Sequence, residues 1–397
     1  MRGIAICNSG GNAEAIRFCP GRPWTKAFSI LQISQKTIDS KAGPRGPLKE
    51  EENQMTKKIL AIVLVLAMVF ALAACSSSSE PAAEPEGPAE SSETETKAMP
   101  RIGILQFAPH ASLDNCYNGI VEGLAAAGYV DGDTCTIDFV NGMGEGETNS
   151  MAAQKFVTDG CDVIVAIATP AATAAYAAAK DAGIPVVFSA VSSPTGAGLV
   201  QDLNNPQTGC TGTSDNLNYP AQLAMIRAFQ PDAKTIGILY TTSEANSSAQ
   251  IAEYEKIAGG YGFTIKTQGV TDASEIASGI ASLISSGIDC LCNLTDNNVV
   301  NNFSVVTAAT DPAGIPCYGS EEEQVAQYGC IASETLDYVA LGNTTGQMAA
   351  DILDGADVMT MPVSIVSDSE PVYSSANLAK FNMEVPADYA NARVVGE

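Results

Sequence analysis

The chain has 397 residues, 46% of them apolar and only 6% aromatic. That length favours two folded lobes, because a single core stops growing near roughly 250–300 residues. Acids outnumber bases 45 to 20, and beyond residue 75 the balance is 40 to 10. So negative a surface excludes nucleic acid and anionic membrane as partners of the folded part. One His and eleven Cys with no CxxC pair point to no metal site, and most of the cysteines read as small buried apolar residues.

Residues 55–75 carry the sharpest local signal. Met55-Thr-Lys-Lys is a short cationic start, and Ile59 to Ala74 is an uncharged apolar run, too short for the ~20 residues of a comfortable membrane span. The run ends in Leu72-Ala73-Ala74-Cys75, followed by four serines. This resembles the lipobox of bacterial lipoprotein precursors. The resemblance implies that 55–74 is a signal peptide, that cleavage precedes Cys75, and that the Cys75 sulfur is lipidated, anchoring an exported protein to the outer face of the cytoplasmic membrane. A signal of this kind works at an N-terminus, so residues 1–54 read as an extension called upstream of a true start at Met55. Residues 75–98 then hold the lipidated Cys and an acidic Ser-, Glu- and Pro-rich stretch with nothing to bury, an extended tether.

From Arg101 short apolar runs alternate with helical stretches, the rhythm of parallel α/β units. Strands are expected at 101–107, 134–139, 163–168 and 185–189, with helices at 113–127, 148–159 and 171–181 between them. The cycle restarts with a helix at 221–229. Strands follow at 235–240, 263–268, 289–293 and 316–318, interleaved with helices at 245–259, 273–286 and 299–310. A strand at 330–334, a helix at 336–355 and a tail from 361 must return to one lobe or the other, creating several crossovers and a hinge.

In open parallel sheets a ligand binds beyond the C-terminal ends of strands. On that rule the candidate contacts are Gln106, Leu113 and Asp114 after the first strand, Thr169 and Ala171 after the third, and Ser189 after the fourth. In the second half they are Glu244, Asn246 and Ser247, then Asp296 and Asn297, then Ser320 and Glu321. Hydroxyls and helix N–H groups suit a carboxylate, while Asp296 or Glu321 suits an ammonium, so the set fits a zwitterion. Thr169 and Ser189 suit helix capping equally. Phe107, Phe188 and Tyr240 fall at strand ends, where an aromatic serves as pocket wall or as core. No nucleophile signature accompanies His110 and no phosphate loop occurs; neither catalysis nor a cofactor is expected.

Arg101–Ile104 and Pro109–Asp114 resemble the opening of the ABC transporter substrate-binding family that includes tryptophan- and tyrosine-binding members. So do Ala168-Thr169-Pro170, Val187–Val191, Pro194–Val200, Gly212–Asp215, Ser243–Ser247, Thr295-Asp296-Asn297, Ser320–Glu323, and Gly342 through Leu353. The resemblance implies an α/β type I periplasmic binding protein fold: two Rossmann-like lobes, each a parallel sheet flanked by helices, joined by three crossovers. The lobes are expected at 99–212 with 331–362, and at 213–330 with 363–397. It further implies hinge closure on a small molecule of the amino-acid class, aromatic ones included, and delivery to an ABC permease and its ATPase. The alternative is a ligand-sensing lipoprotein coupled to a signalling partner.

Overall fold

In the first sheet the inner strands are continuous apolar runs buried on both faces, as in Val163–Ile167, the pattern of a parallel sheet covered by helices on each side. The computed structural model describes residues 99–397, which lie in one compact unit. The expected extension 1–54, signal 55–74 and tether 75–98, with Cys75, lie outside the described residues.

The first sheet holds β1 (Arg101–Gln106), β2 (Thr136–Asn141), β3 (Val163–Ile167), β4 (Val186–Ser189) and β5 (Cys210–Asp215). It is joined by β11 (Ser364–Val366) in the order β11-β5-β4-β3-β1-β2, with every pairing parallel. Helices α1 (Ala111–Ala126), α2 (Gly146–Thr158) and α3 (Thr169–Ala179) connect its strands. The second sheet has the order β13-β12-β10-β9-β8-β6-β7. It consists of β6 (Thr235–Thr241), β7 (Thr264–Val270), β8 (Cys290–Cys292), β9 (Cys317–Gly319), β10 (Ala332–Thr335), β12 (Glu370–Tyr373) and β13 (Arg393–Val394). Only the β10–β12 pairing is antiparallel. Around it run α4 (Tyr219–Phe229), α5 (Ala245–Ala258), α6 (Ile276–Ser285), α7 (Asn297–Asn301), α8 (Phe303–Thr310), α9 (Glu322–Ala326) and α11 (Ser375–Lys380). The helix expected over 299–310 is thus two helices, broken at Asn302.

Helix α10 (Tyr338–Leu353) returns to the first lobe and lies against α1. The contact is backbone on backbone. A Cβ built on Gly342 would stand 2.2 Å from the Cys116 carbonyl oxygen, and one on Gly346 would stand 2.3 Å from that of Ile120. In return, a Cβ built on Gly119 or Gly123 of α1 would stand 2.1 Å from the Val339 or 2.2 Å from the Asn343 carbonyl oxygen. Two Gly-x-x-x-Gly spacings therefore interlock, and small residues are what permit the approach.

The chain passes between the sheets three times: after β5, after β10 and after β11. Three expected lobe boundaries move by a few residues. β5 continues in the first sheet through Asp215; β10 lies in the second sheet, which moves 331–335 out of the first lobe; and β11 keeps 364–366 in the first. The rhythm of strand and helix does not reveal which sheet a buried strand joins. The three passages are stitched together: Asn218 Nδ2 donates to Ser369 Oγ over 3.1 Å, and Ser369 Oγ donates to Glu334 Oε2 over 2.8 Å. Asp337 caps α10 by accepting from Val339 N and Ala340 N, both at 3.0 Å. All eight described cysteines are buried and unpaired, and the most deeply buried thiols are pushed up by desolvation.

Candidate functional site

The C-terminal ends of the central strands of both sheets converge on a narrow, partly open pocket between the lobes whose free volume, about 10 Å³, is roughly that of one water molecule. Its walls are Leu113, Ala168, Thr169, Ala190, Ser192 and Asp215 from the first lobe, Asn246, Thr295, Asn297 and Glu321 from the second, and Tyr338. Two of these residues hold unusual backbone: Ala168 has φ 77° with ψ 154°, and Ala190 has φ 55°. Each costs an alanine on the order of 1–3 kcal/mol. Both turns end a buried strand at the ligand-facing rim, where strain of this kind concentrates.

Five expected residues line the cavity: Leu113, Thr169, Asn246, Asn297 and Glu321. Thr169 opens α3, whose first N–H groups are not consumed by the helix, and its hydroxyl is buried without a partner. Asn246 Nδ2 donates to the Thr295 carbonyl over 2.9 Å, leaving its Oδ1 buried and unpaired. Polar atoms in this condition require a partner.

The other expected residues are not part of this wall. Gln106 Nε2 donates to Asp114 Oδ1 over 2.7 Å and to Ala108 O over 2.9 Å. Ala171 is core, and Ser189 accepts from Thr345 Oγ1 over 3.0 Å. Glu244 accepts from Asn297 Nδ2 over 2.7 Å, from its backbone N–H over 3.1 Å and from Asn298 N over 3.2 Å. Burial and neighbouring Asp296 push its carboxyl up. Ser320 Oγ accepts from Gln324 Nε2 over 3.3 Å.

Asp296 differs most from expectation. Its carboxylate caps α7 through Val299 N at 3.0 Å and accepts from Thr241 N at 2.6 Å, Thr241 Oγ1 at 2.8 Å and Ser247 Oγ at 2.7 Å. It is fully buried and absent from the cavity wall. Asp296 and Ser247 brace the loops that carry the site and leave no lone pair facing an ammonium. Of the aromatics, Phe188 is core and Phe107 lines a separate groove.

Six wall residues fall outside the expected set: Ala168, Ala190, Ser192, Asp215, Thr295 and Tyr338. Asp215 accepts from Ser192 Oγ over 2.9 Å and from Tyr338 OH over 3.1 Å. Ser192 also receives Gln250 Nε2 at 2.9 Å and meets Thr295 Oγ1 at 3.3 Å, bonds that cross between the lobes. Burial pushes the Asp215 carboxyl up to about 7, and burial with Glu323 alongside pushes Glu321 to about 7. The wall contains two acids and no Lys or Arg. His110 Nε2 lies 3.3 Å from Asn297 Oδ1, another contact across the lobes, and burial lowers its pKa. With the lobes bonded to each other across the narrow pocket, the chain is in a closed arrangement.

Residues 101–388 match the family model described as ABC transporter substrate binding protein. A tyrosine-binding protein from Clostridioides difficile is 36% identical over 295 residues, 74% of this chain and 84% of the relative. A Streptococcus pneumonia ABC domain crystallised with L-Trp superposes with TM-score 0.72 at 35% identity, over 75% of this chain and 99% of that one. A ligand-free, open substrate-binding protein with adhesive properties from Clostridium difficile, 37% identical over the same shares, gives 0.58. At near-equal identity the fit is better to the liganded domain than to the open one, in keeping with the bonds between the lobes. The matching family is one of binding proteins, not enzymes, and its members are extracytoplasmic: the chain belongs to the ABC transporter substrate-binding proteins, of type I periplasmic binding protein fold.

Proposed function

We propose that this protein captures an amino acid with an aromatic or otherwise apolar side chain between its lobes and presents the closed form to the permease and ATPase of an ABC importer. The observation that carries the reading is the charge of the cavity: Asp215 and Glu321 are buried in its wall with no cation beside them. A buried carboxylate without a counter-charge is costly, and an α-ammonium supplies that charge. The unpaired Thr169 hydroxyl at the start of α3 suits the α-carboxylate. Leu113, Ala168, Ala190 and the Tyr338 ring leave apolar surface for the side chain. The tyrosine-binding and L-Trp-bound relatives support the aromatic class.

Closure around the ligand stabilises the closed state by its differential affinity, and the bonds between the lobes hold that state together. We also propose that Cys75, lipidated after signal cleavage, tethers the domain to the outer face of the membrane; the run Leu72–Cys75 and the polar stretch after it support this.

Calorimetric titration with L-tryptophan, L-tyrosine, L-leucine and myo-inositol tests the ligand class. Saturable binding of one or more of the amino acids, without binding of the polyol, is expected. A ligand at 100 times its Kd should add about 2.7 kcal/mol of stability. Binding of the polyol alone sinks the amino-acid reading.

A further inference from the structure

Ser112, on α1 of the first lobe, meets two carboxyl groups of the second lobe at once. Its Oγ lies 2.9 Å from Glu321 Oε2 and 2.9 Å from Glu323 Oε2. Ser112 is fully buried, so no water intervenes. A hydroxyl carries one proton and donates once. The second contact is attractive only when that carboxyl is itself an acid, donating its O–H into the Ser112 lone pair. The remaining bonds are single-valued: Asn115 Nδ2 donates to Glu323 Oε1 over 2.6 Å, and Gln324 Nε2 donates to Glu321 Oε2 over 3.1 Å.

We propose that Ser112 and Glu323 are positioning residues for Glu321, holding it across the closed cleft through one shared proton. The role assigned to Glu321 rests on the ligand reading above; the proton-shared latch itself does not.

The surroundings supply no cation to replace that proton. Asp114 and His110 face the pair from the α1 side, and burial disfavours protonated His110. Asp215 and Tyr338 face Glu321 from the first lobe and the start of α10, and Tyr328 stands beyond α9. Arg393 on β13 is committed to Glu322, with Nη1 donating to Oε1 over 2.7 Å and Nη2 to Oε2 over 2.5 Å. Burial, with the Glu323 charge next in weight, pushes Glu321 to about 7, which seats the shared proton on Glu321.

The latch joins opposite lobes, so it exists only in the closed form. Opening exposes Glu321 to water, where a glutamate titrates near ~4.3. The closed form therefore binds the extra proton between ~4.3 and about 7. Closure is favoured as pH falls through that window, by at most tenfold in the closed-to-open ratio per pH unit, and the gain is gone above about 7.

Scattering or interlobe fluorescence on the ligand-free protein between pH 5 and 8 reads this ratio without any ligand. In the native protein the closed fraction should rise as pH falls. In Glu323→Gln the amide donates to Ser112 permanently, so the pH response should flatten by up to one proton's worth while the closed form persists. Ser112→Ala should lose closed form at every pH. A Glu323→Gln profile that tracks the native one, or a native closed fraction that ignores pH, overturns the proposal. Because no ligand is present, neither result bears on whether an amino acid binds.

Discussion

Tyr338, the first residue of α10, donates its hydroxyl over 3.1 Å to the carboxylate of Asp215, the last residue of β5. Each residue borders a passage between the lobes, so the acid facing the ligand is also fastened at the hinge. Asp215→Asn keeps the shape and removes the charge. Charged hydrogen bonds contribute roughly 1.5–3 kcal/mol, so amino-acid affinity should fall roughly 10- to 100-fold by calorimetry with the fold retained. Tyr338→Phe should cost less, about 1 kcal/mol. An unchanged Kd in Asp215→Asn would remove Asp215 from the site.

Asp215 and Glu321 both sit near 7 in the folded, closed chain, above the ~3.9–4.3 of an unfolded chain. The folded state thus binds more protons than the unfolded state in that window. Stability from these groups is fully present below about 4 and is lost as pH rises to about 7. Thermal melts of the ligand-free protein should therefore fall from pH 5 to pH 7. A bound ammonium, which favours the ionised acids, should shrink that slope. A melt that rises over this range contradicts the assignment.

Asp296 accepts from four donors on β6, α5 and α7. Asp296→Ala should destabilise the protein by about 2–4 kcal/mol in denaturant melts, since several buried donors lose their acceptor. Affinity measured on the folded fraction should change less than in Asp215→Asn. The opposite order would return Asp296 to the role of ligand contact.

Gly346 and Gly260 make a controlled pair. A Cβ at Gly346 meets the Ile120 carbonyl at 2.3 Å, whereas at Gly260 nothing lies within 4 Å. Gly346→Ala should cost about 1–3 kcal/mol by forcing α1 and α10 apart, and Gly260→Ala should stay within about 0.5 kcal/mol. Chemical denaturation of both variants decides it.

The alternation of apolar runs made both sheets legible, because parallel strands buried on two faces leave that imprint, and strand ends pointed to Leu113, Thr169, Asn246, Asn297 and Glu321. What escaped reading depends on the third dimension. β10 is buried throughout and carries no mark of which sheet it joins. Tyr338 opens a helix and follows no strand, so the strand-end rule passes over it. Asp215 ends β5, a strand not expected at all, because Cys210–Asp215 is a run of small, mostly polar residues where the other inner strands are apolar. Asp296 and Glu321 are both acids at strand ends; only the donors around Asp296, four against the two that reach Glu321, separate a brace from a wall.

The interlocked glycines of α1 and α10 set an order of assembly. The second lobe's strands β6 to β10 lie between residues 235 and 335, whereas the first lobe's core includes Tyr338, Leu341, Met348 and Val363. The amino-terminal lobe stays unfinished until the last third of the polypeptide has been made, and its long-range pairings are the slow ones to form. A truncation before residue 338 leaves bare the helix face on which Gly119 and Gly123 lie, and such a fragment enters the aggregation-exposed regime of incomplete domains.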